Sequence, residues 1–160
     1  MQGKYLMPDM NETLTPQEKQ QLRTIRIIFI AMAGFLAIMF LSAIVYVTIE
    51  GPVEPSLSVY RTWLLITCVA VSLICGWIGR KRLITTIQAA KASRESLSAK
   101  LTKYQSSLIV YLALTEVPMI LCIVLLVFTG DTFYQIFAAA LLGSLLVQYP
   151  REEKVLRQFL

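Results

Sequence analysis

One ionisable side chain stands where water is scarce. Between Lys103 and Asp131 the only acidic or basic residue is Glu116, with Tyr111 and Thr115 just before it and Pro118 just after. The surrounding stretch, 104–128, is long enough to cross a bilayer and puts Glu116 near its middle. A carboxylate at such a depth costs roughly 3 kcal/mol on insertion scales, so Glu116 is expected to be protonated or turned towards a partner. Two chemistries follow from those states. A carboxyl that titrates serves a proton or ion pathway, and one that stays neutral joins helices by hydrogen bonds. No Lys or Arg lies at comparable depth on any apolar stretch, so hydroxyls are the expected partners: Tyr111 and Thr115 on the same helix, Thr67 and Ser72 on the second span, and Ser42 on the first. Pro118 lacks an amide donor and is expected to kink its helix just beyond Glu116. A polar contact from Glu116 to another membrane subunit is the third reading.

Other chemistry is sparse. The chain has no histidine, which excludes a histidine base, histidine-ligated haem and a His-rich zinc site built from this chain alone. Cys68, Cys75 and Cys122 all fall within apolar stretches at spacings that match no zinc or redox motif, and are expected to be small packing residues. Glycine-rich phosphate loops, nucleophile elbows and paired carboxylates are missing from the pattern, so no catalytic, cofactor-binding or metal-ligating residue is assigned and no enzyme is expected. The formal net charge is +5. Its basic residues cluster beside apolar stretches, which is a topology signal and no sign of nucleic-acid binding.

The elements that must position Glu116 follow from hydropathy. With 160 residues, 56% of them hydrophobic, and a mean hydropathy of +0.64, the chain reads as one integral membrane unit. Residues 1–24 form a polar tail and an interfacial helix, whose start is marked by Thr15, Pro16 and Glu18 as cap, first helical position and capping-box partner. Spans are expected at 27–49, 62–78, 104–128 and 132–149, the first being retained because no cleavage pattern follows it. The connection 79–103 keeps helical spacing on both sides of a break between Ala92 and Glu95, and 150–160 is a short charged tail. Cys68, Ser72 and Gly76 recur every four residues on the second span, and Ala139 and Gly143 do so on the fourth, which marks them as helix-packing positions. The expected fold class is all-α: a four-helix transmembrane bundle of two helical hairpins with cytoplasmic helical extensions.

Orientation follows from the basic residues. Fourteen of the fifteen Lys and Arg lie in the amino-terminal segment, the central connection and the tail, and only Arg61 lies in an outer loop. Both termini are therefore expected on the cytoplasmic side, and this bias taken together with the bacterial resemblance given below implies a bacterial inner membrane. The implied partners are membrane lipid and either further copies of the chain or other membrane subunits, with no nucleic acid and no cofactor.

Two known four-span families share part of this pattern and depart from it. Duplicated rotary-ATPase proteolipids carry far more glycine than the seven here and place their acid on the last span; small multidrug-resistance transporters are shorter and place theirs on the first. The second half, with Tyr104 and Gln105, Ala113, Leu114 and Glu116, Thr129 and Gly130, and Pro150, resembles small uncharacterised four-span membrane proteins of bacteria. That resemblance covers about a third of the chain and makes Glu116 part of a pattern, without implying an activity. The expected function is an accessory or assembly subunit, or a homo-oligomer, acting through helix packing; the alternative is a small proton-coupled transporter or ion pathway that uses Glu116.

Overall fold

A computed structural model describes residues 14–150 together with Val155, Leu156 and Phe159. The expectations for residues 1–13 and for the charged positions of the tail lie outside the described residues. Four helices make up the bundle: α1 (Pro16–Glu50), α2 (Arg61–Ala92), α3 (Leu97–Thr129) and α4 (Thr132–Val147), with a short 3-10 helix over Pro55–Tyr60 between the first two. No strand occurs among the described residues, and the all-α class holds.

The helices begin and end where local chemistry dictates. At the start of α1, the Thr15 hydroxyl accepts from the Glu18 amide while the Glu18 carboxylate accepts from the Thr15 amide at 2.8 Å, with Pro16 in the first turn where no donor is needed. Ser96 caps α3, so the break between α2 and α3 falls at 93–96, within a residue or two of the place expected from spacing. Gly130 closes α3 in the left-handed conformation, at φ 66°, and a Cβ there would also press on Pro52 at 3.2 Å. Asp131 then caps α4 through the Phe133 amide at 2.9 Å.

α3 is the hub. It packs against α2, α1 and α4, whereas α1 and α2, although consecutive, lean on α3 far more than on each other. Its buried side chains, including Leu101, Leu108, Leu112, Met119, Cys122 and Leu126, recur every three or four residues and so fill one broad face. The loop between α1 and α2 is stitched to the end of the same helix: the amides of Val53 and Glu54 donate to the carbonyls of Val127 and Phe128, which would otherwise be among the orphans of its last turn. At the opposite, basic end, Gln21 of α1 donates to the hydroxyls of Ser98 and Thr102 at 3.1 and 3.2 Å.

α1, α2 and α3 are each long and apolar enough to cross a membrane. α4 has 16 residues and spans about 24 Å, short of a hydrocarbon core of about 30 Å, because its helix stops at Val147 where the sequence pattern continues to Tyr149. The tail is less polar in its packing than its composition suggests. Val155 and Leu156 are buried, and Phe159 meets Tyr104 edge-on with ring centroids 5.8 Å apart.

Candidate functional site

Glu116 sits thirteen residues from Lys103 and thirteen from Thr129, about 20 Å from either along α3. Its surroundings follow from helix periodicity. Among its neighbours three and four positions away, Leu112 and Met119 are buried while Ala113 and Ile120 are exposed, so Glu116 stands half-buried at the rim of the face that α3 leaves uncovered. Among the described residues the carboxyl forms no hydrogen bond and no ion pair. Of the hydroxyls expected around it, all but that of the exposed Ser42 are spent elsewhere. Thr115 donates to the Tyr111 carbonyl at 2.9 Å, Ser72 to the Cys68 carbonyl at 2.8 Å, and the exposed Thr67 to the Trp63 carbonyl at 2.9 Å. The Tyr111 hydroxyl donates to the Gln148 side-chain carbonyl beyond the end of α4.

Three of those residues do meet, but around a different space. Ser72, Tyr111, Thr115 and Pro118 line a groove of about 390 Å³ between α2 and α4, with α3 as its floor and Arg80 and Trp77 at one end. Glu116 is not among its lining residues. α3 remains a continuous helix through Pro118, whose buried ring forms part of the groove floor. Sequence reasoning missed Gln148 and Ser144 as groove residues; their signal was a spacing of four at the end of α4, Ser144 in its last turn and Gln148 just past it.

The small residues divide unequally. Cys68 is fully buried and its Sγ lies 2.8 Å from that of Cys122, so this thiol pair joins α2 to α3 in the core; Cys75 is only half-buried. Gly76 and Gly143 have nothing within 4 Å of where a Cβ would stand, and Ala139 is exposed, so none of the three marks a tight helix contact among the described residues. The tight approach of α2 to α3 is made by Gly79, where a Cβ would meet Tyr111 Cδ2 at 2.9 Å. In sequence Gly79 is hidden at the edge of the basic run Arg80, Lys81, Arg82.

Among the described residues no three His, Cys, Asp or Glu side chains gather as metal ligands. Two charged contacts mark the ends of the bundle: Arg61 pairs with Asp131 at 2.6 Å, and Lys103 Nζ reaches both carboxylate oxygens of Glu95 at 2.6 and 2.7 Å. The hydrogen bonds from Lys103 hold the exposed Glu95 carboxyl below the usual carboxylate range. No family model, no curated protein and no solved structure matches this chain. The class the fold defines is a helical bundle of three membrane-length helices and a shorter fourth, packed around α3, and its functional reading rests on its own residues.

Proposed function

We propose that this is a small integral membrane protein, both termini cytoplasmic, that acts without chemistry of its own as a subunit: it packs against other membrane-embedded chains, its own copies included. The observation that carries this reading is the half-buried Glu116 carboxyl, near mid-span and without a partner among the described residues. Leaving such a group against hydrocarbon is costly, and a hydroxyl, amide or carbonyl from a neighbouring helix relieves the cost. Further support comes from α2, which contains an apolar window of membrane length yet among its 32 residues buries only Cys68, Gly79 and Ala90. The open Gly76 and the exposed Ala139 and Gly143 allow close helix approach from outside.

The groove that contains Tyr111 and Thr115 does not include Glu116, so a route along that groove would not pass this carboxyl. The test is the mass of the protein in bilayer discs, by native mass spectrometry or light scattering. The expected result is a defined oligomer or a stoichiometric complex with another membrane chain. Glu116→Leu is expected to weaken it about fivefold, since interhelical polar contacts are worth on the order of 1 kcal/mol, while Glu116→Gln keeps a donor and an acceptor and retains much of it. A stable monomer with no co-purifying membrane protein would remove the proposal.

A further inference from the structure

At the basic end of the bundle, α2 and α3 leave a cleft of about 410 Å³ between them. Its walls carry two cations, Arg82 and Lys103, and the hydroxyls of Thr86, Thr102, Ser106 and Ser107, with Val110 where the apolar stretch begins; no carboxylate lines it, and the Thr102 hydroxyl already donates to the Ser98 carbonyl at 3.0 Å. The donors of this cleft are unequally free. Thr86 donates to the Arg82 carbonyl at 3.0 Å and Ser106 to the Thr102 carbonyl at 3.2 Å, so each offers only lone pairs. Lys103 is held by Glu95. The Arg82 guanidinium and the half-buried Ser107 hydroxyl have no such engagement among the described residues. Free donors on a cation and a neighbouring hydroxyl, with the carboxylates excluded, select an anion bearing several oxygens, and guanidinium suits phosphate in a two-point contact.

The cleft has an apolar continuation. From Val110, the positions Leu114, Val117 and Leu121 follow at intervals of three and four along one side of α3, each half-buried or exposed. Ile78 stands one turn from Arg82 on α2 and is 40% exposed. Leu114 lies against Gly79, so this strip runs in the crease where the two helices meet. Val110 to Leu121 covers about 16 Å, half of a hydrocarbon core, which is the reach of an acyl chain in one leaflet. The crease lies on the α2 side of the uncovered α3 face, away from the rim that holds Glu116.

We infer that the cleft between α2 and α3 is a binding site for one anionic phospholipid, its phosphate on Arg82 and Ser107 and an acyl chain along Val110, Val117 and Leu121. Neither a soluble anion nor a purely apolar ligand uses both parts. The site stands apart from the contact made by Glu116 and does not depend on it.

The test is a titration of the delipidated full-length protein in detergent with phosphatidylglycerol or phosphatidylcholine, with bound lipids counted by native mass spectrometry. One phosphatidylglycerol is expected to saturate ahead of all others, with phosphatidylcholine failing to fill that site. Arg82→Gln is expected to weaken this first binding event about fivefold, the scale of one basic residue at a lipid surface. Ser107→Ala is expected to weaken it without any change of charge, and Lys91→Gln, which removes the same charge from α2 outside the cleft, to leave it unchanged. Equal binding of the two lipids, or a loss in Lys91→Gln as large as that in Arg82→Gln, would overturn the assignment.

Discussion

Gly79 and Gly76 lie three residues apart on the same helix and do opposite things. A methyl at Gly79 would meet the Tyr111 ring at 2.9 Å, and that ring is buried and tied to Gln148, whereas a methyl at Gly76 would enter open space. Gly79→Ala is therefore expected to lower the stability of the detergent-solubilised protein by about 1–3 kcal/mol, the usual cost of overpacking, with Gly76→Ala close to neutral in the monomer. Thermal unfolding of the two variants side by side decides it. Such a difference was not legible in the sequence. Spacing of four identified the Cys68, Ser72 and Gly76 track as a packing face, and Cys68 does sit in the core, but periodicity cannot say which end of a track touches a neighbour. The same limit applies to the hydroxyls around Glu116: residue types fixed the candidates, while helical backbone carbonyls one turn away proved the nearer acceptors for Thr67, Ser72 and Thr115.

At the scale of elements, ends were more legible than contacts, because caps and breaks are written in consecutive residues. Thr15 with Glu18, the break near Ala92 and the Gly130–Asp131 turn all needed only local chemistry. The packed tail was harder to see, since Val155 and Leu156 stand between charged residues, Phe159 follows Arg157 and Gln158, and Phe159 finds its ring partner only on α3, in Tyr104. Asp131 carries two duties, capping α4 and pairing with Arg61. Asp131→Ala is expected to cost about 1 kcal/mol or somewhat more through the lost cap, and Arg61→Gln less than about 1 kcal/mol because that arginine is 59% exposed. Glu95 gives the bundle a pH-sensitive joint. Its folded value is depressed by the hydrogen bonds from Lys103, so the stabilisation is present at neutral pH and is lost as pH falls through that depressed value. Amide protection in the first turns of α3, corrected for intrinsic exchange, is expected to fall on acidification in the native protein and to change much less in Glu95→Gln.

For the whole molecule, the arrangement around α3 leaves two uncovered features of different kinds. One is apolar surface, which lipid alone satisfies. The other is a carboxyl at the rim of that surface, which hydrocarbon does not satisfy, and this asymmetry is the reason to expect a second chain at Glu116. The direct measurement is photo-crosslinking from Ala113 and Ile120, the exposed neighbours on either side of Glu116, carried out in native membranes. A protein adduct of discrete mass from both positions, reduced when Glu116→Leu is introduced, is the expected result. Lipid adducts alone from both positions would contradict a protein partner at this carboxyl.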